Sequence, residues 1–185
     1  KRPIHRLYIQ EGEKKAEKCC KVGLMAVGIM GIQNLGYNAQ LPPDLQLLIQ
    51  ECEVKEVVFM LDSDWDHLSS NLKVADQVDQ RPRSFFYAIK NYKEYMRTLV
   101  NIGISVEIFF GHIKENEKKD KGIDDLLANT LKGKEAELAT DLEYALHDKQ
   151  GNGQYAKLYK ITQMPDNKIA DLWILNDADK FAEKY

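Results

Sequence analysis

Val57-Val58-Phe59-Met60-Leu61 sets five apolar residues in a row and then stops at Asp62-Ser63-Asp64. A half-exposed strand alternates apolar and polar residues, whereas a strand covered by helices on both faces reads as one unbroken run. A membrane span takes about 20 apolar residues, and no run in this chain approaches that length. The five residues therefore predict a strand inside a parallel sheet. The acids at its end fall where α/β sheets carry their sites, beyond the carboxyl ends of the strands.

The flanking segments predict the rest of such a sheet. Residues 6–10 read as a short strand around Leu7, Tyr8 and Ile9, closed by Glu11-Gly12. A lysine-rich helix over residues 13–22 and a second strand over 25–30 follow. Pro42-Pro43-Asp44 opens a helix with Leu45, Leu48, Ile49 and Cys52 on one face. Residues 66–83 are polar, contain Pro82 and predict a long loop with room for one helical turn. A helix over 84–102, striped by Phe85, Ile89, Tyr92, Met96 and Leu99, ends at Gly103 and leads into a strand over 106–110. The charged run from Lys114 to Lys121 reads as a solvated loop before helices at 123–130 and 134–145. Strand alternating with helix predicts an α/β, Rossmann-like fold: a mainly parallel sheet of about four strands flanked by helices. The expected domain covers residues 1–148. Residues 149–185, beyond the Gly151-Asn152-Gly153 break, are expected to form a C-terminal hairpin or to begin a following domain.

A net charge of -3 over 185 residues excludes polyanion binding by bulk electrostatics, so contact with nucleic acid needs a local basic face or a bridging cation. Two stretches offer such a face. Lys14, Lys15, Lys18 and Lys21 lie on the first helix; Arg81, Arg83, Lys90, Lys93 and Arg97 lie near or on the later one. An ordinary solvated helix face explains either stretch more readily. Cys19, Cys20 and Cys52 form no CxxC pair, and adjacent cysteines make a poor disulfide, so structural thiols in a reducing cytoplasm are expected. There is no signal-peptide pattern, and the start at Lys1 rather than Met reads as a piece of a longer protein.

Glu11 and the Asp62/Asp64 pair close neighbouring predicted strands, and three bare carboxylates that near one another repel. A divalent cation removes the conflict, and Mg²⁺ (or Mn²⁺) suits all-oxygen donors while keeping waters and taking phosphate. On extended backbone Asp62 and Asp64 point the same way, and Asp66 continues that parity. His67 and Trp65 stand beside these acids; solvation and packing are their plainer readings. Gly28, Gly31 and Gly36 read as tight-loop glycines rather than as a phosphate cradle, because no Walker pattern accompanies them.

YIQEGEKKA, then AVGIMG, then VVFMLDSDWD resembles the Toprim domain shared by bacterial-type primases, topoisomerases and some nucleases. EGEKxA with a glycine-rich second strand is most similar to Toprim domains of phage and plasmid replication primases, and KGIDDLLAN is similar to the late acidic motif there. The resemblance covers residues 6–129. It implies that Glu11 acts as general acid/base or metal contact, that Asp62 and Asp64 hold the metal, and that Asp124 and Asp125 close the rim. The implied activity is Mg²⁺-dependent chemistry on DNA or RNA within a mobile-element replication protein, with helicase-like modules elsewhere in the parent chain. The alternatives are a nuclease and a non-catalytic DNA- or protein-binding module. Two departures stand out: Lys15 occupies a position where primases carry an acid, as in type I topoisomerases, and Gly122-Ile123 replaces Asp-Pro.

Overall fold

A computed structural model describes residues 2–31, 42–62, 81–101 and 103–162, with backbone alone at 81–89 and 91. Among the described residues ten elements follow in order: β1 (Arg6–Glu11), α1 (Glu13–Lys21), β2 (Ala26–Ile29), α2 (Pro43–Glu51), β3 (Glu56–Met60), α3 (Arg81–Val100), β4 (Glu107–Ile113), α4 (Ile123–Ala128), α5 (Ala136–His147) and β5 (Ala156–Lys160). They build one five-stranded sheet in the order β2-β1-β3-β4-β5. The first four strands run parallel and β5 runs antiparallel to β4. The fold is a mainly parallel, Rossmann-like α/β sheet.

Strand parity divides the core. Leu7, Ile9, Val57, Phe59, Ile108 and Phe110 face α2 and α3, where Ile49, Tyr92, Met96 and Leu99 cover them. Tyr8, Val58, Met60 and Phe109 face the other way, under Cys19 of α1, Leu126 of α4 and Leu142 of α5. Because β1 has β2 on one side and β3 on the other, helices leave its two flanks toward opposite faces. The carboxyl ends of β1 and β3 therefore border a crevice, the usual ligand position in such sheets.

Several boundaries differ from the sequence reading. The described α3 backbone already includes Arg81, Pro82 and Arg83, so these residues belong to a helix rather than to a loop. β4 runs on through Gly111-His112-Ile113. The charged 114–121 run is not wholly solvated: Asp120 is buried and accepts hydrogen bonds from Asn129 (2.7 Å) and Thr130 (2.5 Å). Lys93 is also buried, which removes it from any basic face. Past residue 148 the chain returns to the main sheet as β5, while residues 163–185 lie outside the described ones. Among the described residues no helix is long and apolar enough to cross a membrane.

Besides its pairing with β4, the turn into β5 is clamped by a buried carboxylate. Buried Asp141 of α5 accepts the backbone N–H groups of Gln154, Tyr155 and Ala156, the last two at 2.9 and 3.0 Å. Asp141→Ala leaves those donors without their acceptor and is expected to destabilise the domain by about 3 kcal/mol in urea unfolding. A loss below about 0.5 kcal/mol, the scale of an ordinary surface change, would contradict the clamp.

Candidate metal and phosphate site at the β1/β3 crevice

Gly12 links β1 to α1 with φ 113, a conformation that disfavours side chains, and donates its N–H to Ile29 at 2.8 Å. Beside it, Gly28 of β2 leaves no room for a Cβ, which would come within 2.7 Å of the Gly12 carbonyl oxygen and Glu13 Cα. These two glycines bring the start of α1 down onto the sheet. Gly28 thus serves backbone packing from within β2, a strand position rather than the tight loop expected of it; Gly31 just beyond β2 has φ 78, and Gly36 lies outside the described residues.

With α1 so placed, Lys15 reaches across the crevice. Its ammonium donates a hydrogen bond to Asp62, just past the end of β3, and stands 4.0 Å from Asp124 at the start of α4. The Lys15 side chain is only 17% exposed, and those of Asp62 and Asp124 are 25% and 27%. Burial alone would lower the Lys15 pKa. The hydrogen bond to Asp62 and the charges of Asp62, Asp124 and Glu11 outweigh it and raise the value above 10.5. Residues 47 and more positions apart in the chain thus share one small electrostatic centre.

Gly122 makes the convergence possible. A Cβ there would lie 2.4 Å from Asp62 Oδ1 and 2.9 Å from Asp124 Oδ1, so both oxygens crowd the same bare backbone. Lys18 secures the neighbouring helix by donating to the Asp124 carbonyl at 3.2 Å. Asp125 is turned to another task and accepts the Lys121 N–H at 3.3 Å. Of the late acids, only Asp124 contacts Lys15. Lys14 is exposed. Asp64, Asp66, Trp65 and His67 lie outside the described residues, as do the side chains of Arg81 and Arg83.

The donors around Lys15 are carboxylates, which match Mg²⁺ or Mn²⁺ in kind. Among the described residues, however, no group of three or more His, Cys, Asp or Glu side chains is close enough to hold a metal ion. Lys15 supplies the positive charge that Asp62 and Asp124 need. Gln10, one residue before Glu11, is fully buried on the α1 face with neither amide atom hydrogen-bonded. Cys19 beneath the site is buried, and desolvation, then the charges of Cys20 and Asp124, push its thiol up to about 12. All three cysteines are free thiols. Three of these features escaped the sequence reading: the Lys15 bridge, the Gly122 cradle and the Gln10 amide. A glycine before an acidic pair was visible, but nothing in the chain says which carboxylate it must clear.

Two measurements follow from this geometry. A raised lysine pKa means that the ion pair's stability is fully present below the ordinary lysine value of 10.5 and is lost as pH climbs through the folded value. The stability difference between wild type and Lys15→Met should stay flat around neutrality and collapse only on the alkaline side; collapse near neutral pH would refute the bridge. Iodoacetamide should modify exposed Cys20 well before buried Cys19 in the native protein. Equal rates would place Cys19 elsewhere.

The chain belongs to the family described as Domain of unknown function (DUF3854), whose model matches residues 2–136. The match takes in β1 through α4 and so every described residue of the crevice. No curated protein and no solved structure matches the chain significantly.

Proposed function

We propose that this DUF3854 member is a Toprim-type, Mg²⁺-dependent domain acting on nucleic-acid phosphodiesters, as part of a mobile-element replication protein. The observation that supports the proposal is the bridge from Lys15 to Asp62 and towards Asp124 at the β1/β3 crevice, with the charge of Glu11 adding to the same centre. The order of these acids along the chain matches the motifs on which the Toprim resemblance rests. Asp62 and Asp124 would hold the ion, joined by Asp64 from the same D-x-D pair. Glu11, at the end of β1, is placed to move a proton or orient the bound group. Lys14, Lys15 and Lys18 lie on the helix leaving that strand and supply positive charge toward a phosphate backbone. The chemistry a divalent ion supplies in such a site is neutralisation of charge on the reacting phosphate.

A second reading has its own support. Because Lys15 already pairs with Asp62 and stands 4.0 Å from Asp124, these acids have a cationic partner without metal, which suits a non-catalytic nucleic-acid- or protein-binding module. Nuclease and primase readings draw on the same residues and part only in their products.

Calorimetric titration with Mn²⁺ separates catalytic from non-catalytic. The catalytic reading expects binding by the wild type at millimolar metal and loss of binding in Asp62→Ala. With single-stranded template, nucleotides and Mn²⁺, it expects short products or plasmid nicks that fall by about 100-fold or more in Glu11→Gln. No heat at millimolar metal, with nucleotide present, would defeat it.

A further inference from the structure

We draw no further inference here: the strongest candidate, the cluster of Phe110, His112 and Tyr159 rings with the Lys157 ammonium on the α2/α3 face of β4 and β5, carries nothing because nothing among the described residues shows what covers it.

Discussion

Carboxylates from separate ends of a sheet can share its edge only when positive charge stands between them, and Lys15 provides that charge here. Much of the local architecture follows from this requirement. β3 ends so that Asp62 is the second residue beyond it, α1 lies low enough for its lysine to cross, and the β4–α4 connection gives up a side chain at Gly122 to let Asp62 in. Each condition is met by a different part of the chain, hence the dependence of the centre on the whole sheet. Loss of parallel register by one residue would turn Asp62 toward α2 and α3, away from Lys15 and Asp124.

The strand order sets where this can happen. A 2-1-3-4 arrangement sends the connections from β1 to opposite faces, opening space at the carboxyl ends of β1 and β3. The antiparallel β5 closes the far side, anchored to α5 through Asp141, and takes no part in the crevice. One half of the sheet serves the site and the other completes the core.

Legibility from the sequence followed the range of the interactions. Val57–Leu61 announced a buried strand because burial on both faces leaves a local mark, and Glu11 and Asp62 could be placed at strand ends for the same reason. Whether those ends lie side by side depends on strand order, which no local pattern carries. In the sequence Lys15 is one of four lysines on a helix; its partial burial against Asp62 and Asp124 depends on residues far away along the chain. Asp120 and Lys93 looked solvated because a charged run gives no sign of which member turns inward. Pro82 reads as a loop residue in the sequence although its backbone is helical, and Asp125 cannot be told from Asp124 by type or spacing.

Lys15 answers the electrostatic problem that Asp62 and Asp124 pose, and the arrangement of the crevice turns on that bridge. The most direct test is a crystal structure of the domain. The Lys15 ammonium should lie within hydrogen-bond distance of Asp62 and 4.0 Å from Asp124. Well-ordered carboxylates with the Lys15 ammonium turned out to solvent would contradict the bridge.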